Sequence, residues 1–415
     1  MDFRTWQRAA GPGLVFSGSA IGVSHLVQST RAGAMFGLAL ILVIVAINVL
    51  KYPAFRFGMD YAHATRKTLI GGYRELGLWA VLVYVCFGLA IAPIGLGAVT
   101  ATTAAILAAL TGIDLSIGTL ALLAVTATVL LLIIGGYGWM DRINKALIAF
   151  LSLATVCATV LVLPRVEWGT FVDVDWSIDP MSLLFVIALA GFMPSAMSQC
   201  VPLSIWTLKS QEDEEAAQHL TLRAMHQGFF SSYALTTFLA VCFCIMGAGV
   251  MHSSGIAPAA GAAEMASQII GLYRETLGEI PATLAAIAAL CVMATTMVTA
   301  FDGAARGLGA VHQEFQGNIG GRASTTGYIV FLLILAVLTV GFILLVMESF
   351  AAFIDLVTSI YFVVAPALAF MNHLVVTRCE MPEGSRPSRT MRMLSLTGVV
   401  VMTLMAVLFF VLKAA

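Results

Sequence analysis

Leu14-Val-Phe-Ser-Gly-Ser-Ala-Ile-Gly-Val-Ser-His-Leu26 is an apolar stretch interrupted from within. Gly18 and Gly22 stand in it among Ser17, Ser19, Ser24 and His25. A second stretch, Ala190-Gly-Phe-Met-Pro-Ser-Ala-Met-Ser-Gln-Cys200, is interrupted in the same way. Pro194 removes a helix donor and crowds the preceding turn, and Gly191, Ser195 and Ser198 flank it. Around these breaks the chain is 60% hydrophobic and only 10% charged, against about 25% charged in soluble domains. Its apolar runs recur at about 20 residues, the length that crosses a bilayer core. Unwound backbone at that depth is tolerated only where it is buried or lines a wet cavity. One such break reads as a packing kink. Two, each opening one half of a ten-span core, predict an inverted repeat with a ligand site between the breaks.

The apolar runs predict an all-α polytopic membrane protein of eleven spans, near 14–31, 33–55, 77–110, 116–136, 143–163, 181–208, 225–251, 281–301, 326–347, 349–374 and 391–412. Spans 1–5 (about 14–163) form one repeat and spans 6–10 (about 181–374) the other, with span 11 (about 391–412) appended to a single domain. The first 13 residues do not read as a cleaved signal peptide. Most of the 21 Lys and Arg fall on one side of this arrangement, which by the positive-inside rule puts the N-terminus in the cytoplasm and the C-terminus outside a plasma (inner) membrane. Lys51 counts with the cytoplasmic set in this reading, and Arg31 with the external one. The acidic residues Glu167, Asp173, Asp175 and Asp179 read as a solvated outer loop, and the run Glu212–Glu215 as a solvated inner one. A net charge of -1 gives no reason to expect nucleic acid. The seven cysteines form no CxxC pair, so neither a disulfide framework nor a zinc site is indicated.

At the two breaks the chain resembles the NRAMP divalent-metal transporters, a family of the LeuT-like superfamily. Gly11-Pro12-Gly13 and Ala32-Gly33-Ala34-Met35-Phe36-Gly37 match that family's first-span motifs without a gap, and Met193-Pro194-Ser195 matches its Met-Pro-His. The resemblance implies a LeuT-like 5+5 inverted repeat with broken helices 1 and 6, and proton-coupled import of a divalent metal. The departures fall on the family's chemistry. Gly22 stands where its metal-binding Asp would be, and His25 where its Asn would be. Ser195 and Cys200 replace its two span-6 histidines, and Met193 alone matches as a side-chain ligand.

The residues themselves leave the cargo open. Divalent ions such as magnesium take oxygen ligands, typically carboxylates, and softer metals accept imidazole and sulfur. The breaks offer His25, Met193, serine hydroxyls and backbone carbonyls, with no carboxylate. Burying a doubly charged ion there is costly, which favours a small neutral or zwitterionic solute; His25 and Met193 are the metal candidates otherwise. The expected substrate-binding set is Gly22, Ser24, His25, Gly191, Met193 and Ser195. Ser24, His25 and Gln28 share a helical face and are expected to point together into the cavity. A free imidazole titrates near neutrality, so His25 is also a candidate for coupling, as are Thr299, Asp302 and Arg306 on a stripe of span 8. The bland alternative for Asp302 is an i, i+4 pair with Arg306 near a helix end. Asp355 reads as a helix-start carboxylate or part of an outer vestibule.

No HExxH, GxSxG or aspartyl pair lies at membrane depth, so an enzyme is not indicated, and no cofactor is implied. The sequence leaves a secondary transporter, with a transporter-like sensor as a second alternative. Its partners would be a small solute or metal ion, protons and the lipid bilayer; the oligomeric state is left open.

Overall fold

The computed structural model describes residues 3–134, 137–171, 180–211, 221–317, 323–346 and 349–414, and every regular element among them is helical. The chain opens with α1 (Phe3–Ala20), loses regular structure at 21–23, passes through a π-helical turn (Ser24–Ser29) and resumes as α2 (Thr30–Phe36). Then follow α3 (Ile41–Thr65), α4 (Leu69–Leu76), α5 (Leu78–Ala90), α6 (Ala92–Thr111), α7 (Ile117–Ile134) and α8 (Tyr137–Val162). The second interrupted element comprises α9 (Pro180–Gly191), an irregular segment with one 3-10 turn (Met197–Gln199), and α10 (Cys200–Ser210). The remainder is α11 (Leu222–Met246) with a π-helical end (Gly247–Met251), α12 (Ala262–Leu277), α13 (Glu279–Phe315), α14 (Thr325–Val346), α15 (Phe350–Arg378) and α16 (Arg389–Ala414).

Nine of the described helical stretches are long and apolar enough to cross a membrane. Their outward faces carry large apolar side chains, among them Leu345, Ile134, Val337 and Leu404. Such a surface suits hydrocarbon rather than water. The interior is closed by aromatic packing: Phe16 of α1 meets Phe55, Phe229 and Tyr233 at centroid distances of 5.0, 5.5 and 6.0 Å.

Backbone contact at small residues fixes the two interrupted elements. Gly33 of α2 lies so close to α11 that a Cβ there would overlap the Cys244 carbonyl, and Gly247 presses back on the Thr30 carbonyl in the same way. The Ala-Gly-Ala motif therefore docks α2 against α11. In the second half, a Cβ on Gly191 would overlap the Thr358 carbonyl, which docks the end of α9 on α15.

Several boundaries differ from the hydropathy reading. Span 2 is α3, and it runs ten residues beyond the expected end at 55, through Pro53, to Thr65. Lys51 is thus interior to a helix and fully buried, not cytoplasmic. Span 8 is the 37-residue α13, so Asp302 lies well inside a helix rather than at its end. Arg31 is buried rather than in an outer loop. Asp173, Asp175, Asp179 and Glu212–Glu215 lie outside the described residues.

Candidate functional site

The two interruptions meet at the centre of the molecule. Ser24 Oγ, just past the first break, lies 3.3 Å from the Pro194 carbonyl in the second. Thr296 of α13 caps the first break from the other side: its hydroxyl donates to the Gly18 carbonyl at 2.8 Å and approaches that of Ile21 at 3.4 Å. Carbonyls at a helix end lack intrahelical partners, and here a neighbouring hydroxyl supplies them.

The second break is held by a lysine. Lys51 Nζ donates to the Ala190 carbonyl at 2.6 Å and to the Gly191 carbonyl at 3.0 Å. Its position explains this reach. Lys51 is the eleventh residue of α3, about 15 Å along the axis from the helix start. That is about half the thickness of a bilayer core. The C-terminal end of α9 carries the negative end of the helix dipole, so an ammonium there is electrostatically favoured.

Between the breaks lies a cavity of about 70 Å³, where a single water needs about 10–15 Å³. Ser19, Ser24, Ser195, Ser198 and Thr296 line it, with Tyr84, Phe87, Phe192 and Tyr361 and a larger number of small apolar residues. Phe192 and Tyr361 meet edge to face at 4.7 Å. Gln199 also lines it, and its buried side-chain oxygen has no hydrogen-bond partner. No carboxylate, imidazole or thiol is among the described residues of the lining.

Of the residues expected from sequence, Gly22, Ser24 and Ser195 line this cavity together. The others lie behind it. His25 is fully buried, and its Nε2 meets the Thr236 carbonyl of α11 at 2.9 Å. A carbonyl can only accept, so Nε2 donates, and in the neutral ring Nδ1 accepts from the Ser24 hydroxyl at 2.8 Å. Met193 is fully buried outside the lining, and Gly191 contributes its carbonyl to Lys51. Gln28 faces α15, donating to Asp355 and Thr358 at 3.0 and 3.2 Å. The expectation that Ser24, His25 and Gln28 point together is therefore corrected. These residues form a π-helical turn, whose extra residue per turn breaks the i, i+3, i+4 alignment and fans them to three different neighbours.

The span 8 stripe also turns away from the cavity. Thr299 Oγ1 donates back to the Thr295 carbonyl at 2.8 Å, while Thr296, Ala300 and Ala304 present the facing stripe. Asp302 accepts from Arg306 Nε at 2.8 Å and from the Tyr328 hydroxyl at 2.8 Å. Arg306 also stacks over the Tyr328 ring at 4.7 Å.

Further out, Arg31 of α2 grips Asp355 of α15 through two nitrogens at 2.7 and 2.9 Å. At the opposite end of α3, Asp60 accepts from His226 at 2.6 Å and Arg56 at 3.2 Å. Among the described residues no group of three or more His, Cys, Asp or Glu is placed to hold a metal ion.

Sequence reasoning missed Lys51, Thr296, Gln199 and the four rings. Of these only Lys51 carried a legible signal, a charge inside an apolar run.

No family model matches the chain. An uncharacterized protein of Pasteurella multocida (strain Pm70) is 28% identical over 309 residues, 73% of this chain and 70% of its own length. The Eremococcus coleocola manganese transporter, in complex with an aromatic bis-isothiourea substituted compound, superposes with a TM-score of 0.72 at 15% identity, covering 98% of this chain and 86% of its own. MhsT in complex with L-phenylalanine superposes with a TM-score of 0.68 at 15% identity, covering 97% and 98%. The fold is LeuT-like.

Proposed function

We propose that this protein is a secondary transporter that works by alternating access and carries a small neutral or zwitterionic organic solute. The observation that carries this reading is the cavity lining, mostly small apolar residues and aromatic rings with serines, one threonine and one glutamine, and no charged side chain among its described residues. Such a surface suits a compact solute with an apolar body and N–H donors. A dication would lack compensating charge there. It would also meet Lys51 already seated on the carbonyls of α9. The neighbour that holds L-phenylalanine shows that the fold admits an organic solute.

In this reading the nine long spans and the two interrupted elements make eleven, arranged as two repeats of five plus one. The N-terminus is cytoplasmic by the Lys and Arg distribution. Gly22, Ser24 and Ser195 contact the solute, Phe192 and Tyr361 cover it, and Gln199 accepts from it. His25 acts through Ser24, orienting the hydroxyl that faces the cavity. The metal reading draws support from the likeness to a manganese transporter; it needs His25 and Met193 to turn from their present places into the cavity.

The discriminating experiment is uptake into proteoliposomes, with and without an inward proton gradient, using manganese and a panel of labelled neutral amino acids. Accumulation of an amino acid and exclusion of manganese is the expected result. Manganese uptake above protein-free vesicles, with no amino acid carried, overturns the solute assignment. Gln199→Leu is expected to lower uptake of the carried solute about 10- to 100-fold, since leaving a solute donor unpaired costs about 1–3 kcal/mol.

A further inference from the structure

The charge that compensates the break after α9 comes from the chain itself. In membrane folds with discontinuous helices, half-helix C-termini and unwound carbonyls coordinate the monovalent coupling ion. Here two such carbonyls, of Ala190 and Gly191, are taken by Lys51 Nζ at 2.6 and 3.0 Å. Lys51 has 0% exposure. Nζ lies 5.9 Å from the centroid of the Phe362 ring, so its third donor has at most a weak partner. Among the described residues no carboxylate pairs with it.

The titratable groups around Lys51 are few. From α10 the Cys200 thiol donates to the Ala54 carbonyl, three residues along α3. From α11, Tyr233 donates to the Asn48 carbonyl at 2.7 Å. From α4, Tyr73 donates to Asn372 Oδ1 at 2.5 Å. From α9 the contact is backbone alone, and from α15 it is the Phe362 ring. None of these supplies an anion at neutral pH, so the charge on Nζ answers only to the end of α9.

We propose that Lys51 Nζ occupies the position that a free monovalent cation would take at the end of α9, so that the exchangeable ion of this site is the proton on Nζ. The proposal rests on the transporter reading and deepens it. The exchange balances simply: Lys51 as an ammonium gives one proton to water and becomes an amine with two N–H groups and a lone pair. Those two donors suffice for Ala190 and Gly191, so the hydrogen bonds survive while the attraction to the helix dipole falls. Proton uptake reverses the change. The tether thereby makes sodium redundant.

The test is thermal unfolding of the purified full-length protein in detergent, followed by tryptophan fluorescence in sodium, lithium, methylammonium or choline chloride at equal ionic strength. The wild-type protein is expected to melt at one temperature in all four. Lys51→Ala vacates the carbonyls, and its melting point is expected to fall in choline and to recover by several degrees, saturably, in at least one of the smaller cations. Lys51→Arg keeps a charge that does not leave, and is expected to be as indifferent to the salts as the wild type. Should Lys51→Ala not fold, Lys51→Gln, whose amide offers fewer donors and no charge, takes its place. A folded Lys51→Ala or Lys51→Gln that does not distinguish the cations overturns the proposal, as does a wild-type protein that does. Melting requires no transport, so either failure is separate from a failure of the uptake assay.

Discussion

The cavity owes its chemistry to residues that do not advertise themselves. Thr296 stands three residues from Thr299, and the stripe Thr299, Asp302, Arg306 is conspicuous in sequence because it is polar. The stripe that faces the cavity, Thr296, Ala300, Ala304, is mostly small instead. Polarity marks what needs a partner, and room is made by what lacks bulk. His25 illustrates the reverse case, a conspicuous residue whose two ring nitrogens are both engaged. Replacing it by Ala removes the second donor to the Thr236 carbonyl and the acceptor of the Ser24 hydroxyl at a fully buried position, which is expected to cost about 1–3 kcal/mol. Chemical or thermal melts of His25→Ala against His25→Gln check this, with the Gln variant closer to the wild type because an amide can still donate. The motifs Gly11-Pro12-Gly13, Ala32-Gly33-Ala34 and Met193-Pro194 were legible because they serve the backbone, and backbone requirements leave glycine and proline behind. Gly22, Ser24 and Ser195 of the cavity lining were legible beside those motifs, but Thr296, Gln199 and the four rings were not, because such residues occur throughout membrane helices for other reasons.

At the scale of elements, the interruptions were visible in sequence, while the ends of the helices were not. Span 2 continues past Pro53 because α3 is buried by α10, α11, α15 and α16 along its length, and packing outweighs a single lost hydrogen bond. That continuation is what carried Lys51 from the expected surface to the interior. Close packing also predicts fragility: Gly191→Ala forces a methyl into the Thr358 carbonyl, and a loss of about 1–3 kcal/mol or more is expected from such overpacking, readable as a lower melting point. Where α3 gives way to α4, Lys67 Nζ meets Glu75 Oε1 at 2.8 Å, and Tyr61 donates to the same oxygen. Burial pushes the Glu75 carboxyl up, but Lys67 and Tyr61 outweigh it and hold it below its usual range. The hydrogen bond to Glu75 raises Lys67. A lowered carboxyl stabilises above its unfolded value and stops doing so as pH falls through the folded one. A raised ammonium stabilises below its unfolded value and stops as pH rises through the folded one. The pair is therefore whole across neutrality and lost at both extremes. Being partly exposed, it is worth under about 1 kcal/mol. Comparing melting points of Glu75→Gln and the wild type across pH should show a small gap at neutrality that closes in acid.

Across the whole molecule, ion pairs outside the cavity tie separate helices together. Arg31 and Asp355 join α2 to α15, and Asp60 with His226 joins α3 to α11. Asp355→Asn leaves Arg31, only 8% exposed, without its counter-charge. Because Asp355 is itself a third exposed, a loss of about 1–2 kcal/mol is expected, below the 3–5 kcal/mol of a fully buried pair. A cysteine placed at Thr358 should then react faster with a membrane-impermeant thiol reagent added from the Asp355 side. The reciprocal contact of Gly33 and Gly247 has a different consequence. With no side chain between two backbones, α2 cannot roll or slip on α11 without a collision at every turn. The short arm and the long helix are therefore expected to move as one lever, so that whatever swings the far end of α11 swings α2 as well. A cross-link stapling those two together should leave the working cycle running, whereas one stapling α2 to α15 should jam it.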